Sequence, residues 1–246
     1  MLEVDQYNYK QHMKRSNPLF YGKILLFGEY GIIKDSMGLS IPHGYYKGAF
    51  QFEDTFNSVQ ASSNKHLFAY LEYLKKEDAP CHFNLNQFES DLNHGLYFDS
   101  SIPQGFGVGS SGALVAAIYD RYCRNKISKN PENSTDIKKL KSIFSWMENY
   151  FHGKSSGIDP TICYMGLPLL IKSTNELGSV DLPASELGAG AVFLLNSGVP
   201  GETQPMVEIF MDKLKEEGFR NMLKHQFVKY NDACIKAFVE GDTNPL

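Results

Sequence analysis

The sequence predicts an α+β fold, in which helices and strands are mixed along the chain without strict alternation. Short apolar runs bounded by glycines are typical of buried strands, and "GKILLFGEY" at residues 22–30 is the clearest of them. Longer segments repeat apolar residues every three or four positions, which predicts amphipathic helices. The chain has 246 residues, 42% of them hydrophobic and 21% charged, as expected for a globular protein of one large or two smaller domains.

Further elements follow in order. Strands are expected in "KGAFQFED" (47–54), "GLYFDSSIP" (95–103), "LPLLIKS" (167–173) and "GAVFLLNSG" (190–198). Helices are expected at 66–77, 112–124, 135–153, 205–223 and 225–240. The third of these has Thr135 or Asp136 as its expected N-cap and Gly153 as its end. The last two carry apolar faces, which we expect to leave a large apolar surface exposed: Val207, Phe210, Leu214 and Phe219 on one, Phe227, Tyr230, Cys234 and Phe238 on the other.

Composition limits the function classes. A net charge of −4 provides no basic surface for nucleic acid and no support for binding to a membrane surface. No apolar run has the length of a membrane span, and the polar N-terminal segment does not resemble a signal peptide, so a cytoplasmic protein is expected. Cys81, Cys123, Cys163 and Cys234 are widely spaced, which favours reduced thiols over a disulfide framework or a zinc site.

The glycine-rich stretch "PQGFGVGSS" (103–111) lies directly before a predicted helix. Its glycines leave backbone N–H groups accessible, and the first turn of the helix adds unpaired donors and partial positive charge, which suits a phosphate. A hydroxyl at the helix start, from Ser110 or Ser111, can also ligate a magnesium ion. Alone, such a turn is more often structural. This stretch lacks the G-K-[ST] ending of a Walker loop and the acidic ribose-binding residue of a Rossmann unit, so neither of those nucleotide sites is expected.

Three other places carry ionisable or capping residues. Lys23 and Glu29 stand at the two ends of the first strand, although strand ends also reach solvent in proteins without a site there. Glu148 and His152 share one face at the end of a helix, and Asp159 follows in a turn. Thr203 precedes the helix at 205–223, where an ordinary N-cap is the alternative explanation.

These four pieces, "GKILLFGE", "PQGFGVGSS", "HGKSSGID" and "NSGVPGET", resemble in sequence and order the motifs of the GHMP kinase superfamily, and within it mevalonate kinase most closely. The resemblance implies a two-domain fold. Residues 1–180 would form a ribosomal protein S5 domain 2-like domain that binds ATP, and residues 181–246 a partial ferredoxin-like domain. It also implies an ATP- and Mg2+-dependent kinase that phosphorylates the hydroxyl of a small hydroxy acid, mevalonate first, in isoprenoid precursor synthesis.

Roles for individual residues follow from the same resemblance. Asp159 matches the catalytic aspartate, and Lys23 the lysine that contacts it. Glu148 and Ser111 match the magnesium ligands, while Glu29, Tyr30 and Thr203 match positions on the substrate side. His152 would orient its turn. The residues expected to bind the ATP phosphates are Pro103, Gly105, Gly107, Val108, Gly109, Ser110, Ser111 and Gly112.

Two departures from the family pattern leave alternatives open. Tyr30 stands where mevalonate kinases commonly carry histidine, and phosphomevalonate kinases often carry tyrosine there, so that substrate is the runner-up. The family's C-terminal glycine-rich segment is missing, which indicates a fragment or a curtailed second domain. A non-catalytic nucleotide- or metabolite-binding protein therefore stays open. A decarboxylase on the same fold is less favoured because of "HGKSSGID", and a homodimer is an open oligomeric state.

Overall fold

The computed structural model describes residues 17–34, 36–76, 78–131, 133–173, 176–183, 194–201 and 203–242. Within them lies one antiparallel sheet of five strands: β1 (Phe20–Phe27), β2 (Gly38–Phe52), β3 (Leu96–Ser100), β4 (Leu169–Ser173) and β5 (Glu176–Ser179). The helices are α1 (Ser58–Lys76), α2 (Leu85–Asn93), α3 (Ser110–Tyr122), α4 (Ser134–His152), α5 (Ile158–Met165), α6 (Thr203–Lys213), α7 (Glu217–Met222) and α8 (Lys229–Glu240). A 3-10 turn (Gly31–Lys34) follows β1, and a π-helical segment (Leu223–Val228) joins α7 to α8. The predicted α+β class is confirmed.

The long strand β2 organises the sheet. One of its edges pairs with β1, from Phe20 opposite Gly48 to Phe27 opposite Leu39. Its other edge pairs with β4 near the start of β2 and with β3 near its end. The sequence predicts only the second half of β2, because Pro42 and Gly44 interrupt the strand pattern in the first half. That interruption falls where only β1 is paired with β2.

Helix α3 is buried on most of its surface and forms the centre of the core. Small side chains such as Ala113, Ala116 and Ala117 let α4 and α5 approach it closely. Near its C-terminal end, Tyr119 lies edge-on to Phe144 of α4, with ring centroids 4.9 Å apart, and to Tyr164 of α5, at 5.2 Å. A helix that is apolar all round belongs inside a protein. The glycine-rich loop at its N-terminus is therefore attached to a rigid base.

Most predicted elements are present, and one correction concerns the start of helix α4. The N-cap of α4 is Asn133, whose side-chain oxygen accepts a 2.8 Å hydrogen bond from the amide of Asp136, so the prediction of Thr135 or Asp136 is wrong. Both of those residues already belong to the first turn of the helix. Gly153 ends the helix at a φ of +66°, as predicted. The sequence analysis misses α2, α5 and β5, which are short.

The C-terminal helices differ in phase from the prediction. The helix expected at 205–223 is interrupted between α6 and α7. In the next, the buried positions are Leu223, Asn231 and Ile235, while the predicted Phe227 and Tyr230 are 37% and 62% exposed. The π-helical segment explains the change, because its wider turn holds more residues and rotates the buried face relative to a regular helix. On α6, Ile209 and Met206 are exposed, whereas Phe210, on the predicted apolar face, is only 9% exposed.

The strand expected at 190–198 is not formed in the part that the structure describes. Residues 190–193 of the strand expected at 190–198 lie outside the described residues, and residues 194–198 belong to a loop without regular structure. The ferredoxin-like second domain and the division near residue 180 stay predictions. All four cysteines carry free thiols. In the part of the chain that the structure describes, no helix is both long and apolar enough to cross a membrane.

Candidate active site

Lys23 and Asp159 form an ion pair, although they are far apart in sequence. The Nζ of Lys23, in the middle of β1, lies 2.9 Å from Oδ2 of Asp159, in the first turn of α5. The lysine side chain is only 9% exposed, whereas the aspartate is 38% exposed. The pair therefore has a buried cation and a carboxylate that a solute can reach.

The surroundings keep Lys23 charged. Burial by itself lowers the pKa of this amine, but the charge and hydrogen bond of Asp159 outweigh it, and Glu29 adds to the effect. The net pKa of Lys23 is raised above its ordinary value. The thiol of Cys163, one helical turn after Asp159, is buried beside the pair, and this burial keeps its pKa well above the usual range. Lys23 is thus the charged partner and Cys163 a neutral one.

The glycine-rich loop lies directly beside this pair. Gly105, Gly107 and Gly109 have φ angles of +79°, +68° and +85°, with ordinary residues between them. Such alternation turns successive N–H groups toward one concave side, which is a geometry that binds anions. The amide of Lys23 donates a 2.9 Å hydrogen bond to the carbonyl of Val108, so the loop is attached to β1. A side chain at Gly109 would meet the Lys23 side chain at 2.9 Å.

The N-terminus of α3 contacts the N-terminus of α5. A Cβ atom on Gly112 would lie 3.0 Å from the backbone of both Asp159 and Pro160, which is closer than most Cβ contacts, so a larger residue would require this backbone to shift. The first residues of α3, Ser110 and Ser111, are half-buried, and Gly107 in the loop before them has open space around it. The glycine-rich loop therefore leads into a helix start that is packed against the backbone of Asp159.

Glu148 anchors a hydrogen-bonded cluster at the end of α4. Its carboxylate, in a residue only 3% exposed, accepts a 3.0 Å hydrogen bond from the hydroxyl of Ser111 and another from the hydroxyl of Ser155. The hydroxyl of Ser111 also lies 3.1 Å from Nε2 of His152. Glu148 and Ser111, predicted as magnesium ligands, are thus in contact. His152 contacts this pair instead of only orienting its own turn.

The electrostatic environment of Glu148 is unusual for a carboxylate. Burial, and then repulsion from Asp159, raise its pKa to about 7, although the hydroxyls of Ser155 and Ser111 and the charge of Lys23 act in the opposite direction. Burial also lowers the pKa of His152, against the attraction of Asp159. At neutral pH the site therefore holds a carboxyl group close to its titration midpoint, and a nearby cation would favour its ionised form.

These oxygens suit a magnesium ion that also binds a phosphate. Mg2+ prefers hard oxygen ligands and usually takes one or two carboxylates from the protein, with phosphates and waters as its other ligands. Glu148 and Ser111 supply a carboxylate and a hydroxyl at the helix start. Within the described residues, no group of three or more His, Cys, Asp and Glu side chains is arranged to hold a metal ion. The donor set thus fits a metal shared with a ligand.

Two of the three residues predicted on the substrate side, Glu29 and Tyr30, lie just after β1. Glu29 is exposed, and its charge acts on both Lys23 and Tyr30. The Tyr30 ring stacks on Phe210 of α6, with centroids 5.6 Å apart. Thr203, the third such residue, is the first residue of α6, and the prediction for its side chain stays a prediction.

A cavity of about 340 Å³ opens between the tip of the glycine-rich loop and residues 194–201. Tyr30, Tyr46, Phe106 and Met206 supply much of its wall. Residues 194–201 are linked to the loop by a 2.8 Å hydrogen bond from the amide of Gly201 to the carbonyl of Gly105. The glycine-rich loop, Tyr30 and the start of α6 therefore surround the same cavity.

Ser155 is a site residue that the sequence analysis misses. Besides its bond to Glu148, its hydroxyl accepts a 3.0 Å hydrogen bond from the amide of Gly157, the N-cap of α5. Its own amide donates to the side chain of Asn149 at 2.8 Å. The only sequence signal is its place between Glu148 and Asp159 in a turn with glycines on both sides.

Comparisons with known proteins bear on the fold and on the middle part of the chain. Residues 66–167 match the family model described as the GHMP kinases N terminal domain. Among solved structures, L. major mevalonate kinase in complex with R-mevalonate aligns with a TM-score of 0.59 and 14% identity, covering 94% of this chain and 72% of that one. Methanococcus jannaschii mevalonate kinase aligns with a TM-score of 0.50 and 14% identity, covering 91% of this chain and 74% of that one. Lactococcus lactis galactokinase complexed with galactose has a TM-score of 0.49 and 13% identity, and the alignment covers 98% of this chain and 75% of that one. A search of curated proteins found no match. At 14% identity the likeness to the two mevalonate kinases shows the fold alone.

Proposed function

We propose that this chain, which carries a GHMP kinase N-terminal domain, is an ATP- and Mg2+-dependent phosphotransferase that acts on the hydroxyl group of a small hydroxy acid, with mevalonate as the first candidate. The observation that carries the proposal is the Lys23–Asp159 ion pair at the end of the glycine-rich loop. Phosphoryl transfer requires mainly positioning and charge compensation from the protein. A loop that suits phosphate, adjoining a lysine–aspartate pair, meets both requirements.

Asp159 is the proposed catalytic base. Its exposed carboxylate can accept the proton of a substrate hydroxyl, and its ion pair with Lys23 fixes the direction in which the carboxylate points. Lys23 stays charged in its buried position, so it can also compensate negative charge near the transferred group. Both side chains are attached to regular elements, one to strand β1 and the other to the first turn of helix α5.

The glycine-rich loop and the start of α3 are the proposed phosphate site. When bound, ATP supplies the phosphoryl group and Mg2+ neutralises the negative charge on its phosphates. Backbone amides between Gly105 and Gly112 bind the phosphate oxygens, while Ser111 and Glu148 hold the metal. His152 and Ser155 keep these two oxygen donors in place through hydrogen bonds.

Glu29, Tyr30 and Thr203 are the proposed contacts to the acceptor. Tyr30 lines the cavity beside the loop, so its difference from the usual histidine bears on which acceptor fits. Phosphomevalonate is therefore the second candidate. The mevalonate proposal rests on the sequence motifs, and one structure with the same fold was solved with R-mevalonate bound.

A panel of acceptors tests the proposal. ATP consumption is measured with mevalonate, phosphomevalonate, homoserine and galactose in the presence of Mg2+. Turnover with mevalonate supports the first candidate, and turnover only with phosphomevalonate selects the second. If nucleotide binds and no acceptor is phosphorylated, the non-catalytic binding protein is the correct interpretation.

Substitutions then test the residue roles. Asp159→Asn and Lys23→Met should each remove most turnover and leave ATP affinity little changed, because both residues are assigned to the transfer step. Asp120→Asn is the matched control. Asp120 lies in the second half of α3 and also forms an ion pair with a lysine, Lys126, which follows that helix. Near-normal turnover in Asp159→Asn would contradict its role as base.

Magnesium dependence tests the metal ligand. Glu148→Gln should require more Mg2+ for half-maximal turnover, because a neutral amide is a weaker ligand than a carboxylate. The same variant should bind Mn2+ less tightly in the presence of ATP, as followed by electron paramagnetic resonance. Superimposable titrations of variant and parent would remove Glu148 from the metal site.

A further inference from the structure

The segment between β1 and β2, residues 28–37, of which the structure describes all but residue 35, carries Glu29 and Tyr30, and its backbone is strained at Tyr30. Tyr30 adopts a φ of +56°, in the left-handed region that bulky residues rarely occupy. A residue held there persists when the surrounding structure fixes its conformation, and such positions occur most often at functional sites. The contacts that hold this segment, called here the β1–β2 segment, therefore bear on the position of Glu29.

The last helix supplies polar contacts at the far end of the β1–β2 segment. Asp232 of α8 accepts a 3.0 Å hydrogen bond from the amide of Met37. Its neighbour Asn231 donates to the carbonyl of Met37 at 2.8 Å and to the hydroxyl of Ser36 at 2.9 Å. Ser36 is completely buried and Asn231 is 9% exposed. Buried polar groups are costly unless they are paired, so these bonds form one interdependent set.

Hydrogen bonds continue from this set to the predicted substrate contact. The amide of Ser36 donates to the carbonyl of Gly31 at 3.1 Å, and the amide of Gly31 donates to the carbonyl of Glu29 at 2.6 Å. An unbroken series of hydrogen bonds and backbone thus leads from Asn231 to Glu29. A shift of Ser36 would change the conformation of the turn that carries Glu29.

Apolar contacts from the same group of helices hold the other side of the segment. Tyr30 stacks on Phe210 of α6. The ring of Phe227, in the π-helical segment, lies so close to Gly31 that a Cβ atom there would be 2.6 Å from it. Phe27, the last residue of β1, lies edge-on to Phe238 of α8, with centroids 5.7 Å apart. The C-terminal helices therefore enclose the β1–β2 segment at several points.

We propose that Asn231 and Asp232 are positioning residues for the acceptor site, which hold Glu29 and Tyr30 in the conformation that binds the acceptor. The assignment of an acceptor at Glu29 and Tyr30 rests on the proposed function. Neither Asn231 nor Asp232 contacts the ion pair or the glycine-rich loop through any described hydrogen bond. Their loss should therefore affect the acceptor more than ATP.

The test uses Asn231→Ala and Asp232→Ala in the full chain, with Lys236→Ala on an exposed position of the same helix as the control. Hydrogen exchange of the Ser36 and Met37 amides is measured together with KM for the acceptor, KM for ATP and kcat. We expect exchange of these amides to become about tenfold faster and KM for the acceptor to rise about tenfold in either variant. KM for ATP should stay within about twofold of the parent, and the control should match the parent throughout.

The outcomes separate the two proposals. Unchanged exchange in both variants overturns the positioning role, as does faster exchange with an unchanged KM for the acceptor. An equal loss in both KM values and kcat also overturns it, since that is the result of general destabilisation. If the parent phosphorylates no acceptor, the proposed function fails, whereas the exchange data still decide whether α8 holds the segment. Asn231→Ser, which keeps a hydroxyl donor at this position, replaces Asn231→Ala if that variant does not fold.

Discussion

Replacing the buried Glu148 by glutamine should stabilise the protein at alkaline pH although it impairs the proposed metal site. The carboxyl group is buried and repelled by Asp159, which raises its pKa from an ordinary 4.5 to about 7. In the unfolded chain the same group titrates near its ordinary value. The folded protein therefore holds a proton that the unfolded chain has already lost, over the range between these two pKa values.

The sign and size of the effect follow from this difference. Below pH 4.5 the group is protonated in both states and contributes no cost; as pH rises through about 7, folded protein must bear a buried charge and loses stability. A difference of this size corresponds to about 3 kcal/mol. Glutamine carries no charge but satisfies the two serine hydroxyls less well, so we expect a net gain of about 2 kcal/mol at pH 8.

Urea unfolding at pH 5 and pH 8, without Mg2+ or nucleotide, measures this prediction. The free energies of parent and Glu148→Gln should be nearly equal at pH 5 and differ by about 2 kcal/mol at pH 8, with glutamine more stable. Glu176→Gln removes an exposed carboxylate paired with Lys172 and is the control, for which we expect no such pH-dependent gain. Parallel profiles for parent and Glu148→Gln would refute the assignment of a buried, strained charge to this residue.

Three further predictions use the same geometry. Gly112→Ala should lower turnover at least tenfold and destabilise the protein by roughly 1–3 kcal/mol, because its Cβ would press on the backbone of Asp159 and Pro160. Gly178→Ala, at a position with open space around it, is the near-neutral control. Equal effects in the two variants would contradict the close contact at Gly112. Asn133→Ala should cost about 1 kcal/mol in urea unfolding by removing the N-cap of α4, while an unchanged midpoint would show that the cap contributes nothing. Binding of Mg2+ and ATP should release protons at pH 7 but fewer at pH 8.5, as measured by calorimetry in buffers of different ionisation enthalpy; equal release in parent and Glu148→Gln would exclude Glu148 as the source.

The sequence was sufficient to predict the parts of the site that are set by local chemistry. The strand with Lys23, the glycine-rich loop before a helix, and the turn with Asp159 each have a recognisable composition. Their order along the chain, compared with a known superfamily, also indicated which of them meet. The structure brings Lys23 and Asp159 to 2.9 Å and Ser111 and Glu148 to 3.0 Å.

What the sequence did not predict depends on contacts between distant segments. Asn231 and Asp232 are ordinary polar residues in a helix, and only the tertiary structure shows that Ser36 and Met37 are their partners. The π-helical segment changed the buried face of the last helix, which a regular period of 3.6 residues cannot anticipate. Ser155 likewise gained its role from the position of Glu148 on the preceding helix.

The charge balance of the site explains why its residues are distributed over β1, α3, α4 and α5. Two carboxylates, Glu148 and Asp159, repel each other, whereas Lys23 forms its ion pair with Asp159 only. Burial and repulsion from Asp159 leave a charge imbalance at Glu148, whose pKa is raised. A divalent cation held by Glu148 and Ser111 would remove that imbalance and favour the ionised carboxylate that binds it. The same arrangement that destabilises the free protein would thus favour a positively charged ligand next to the glycine-rich loop.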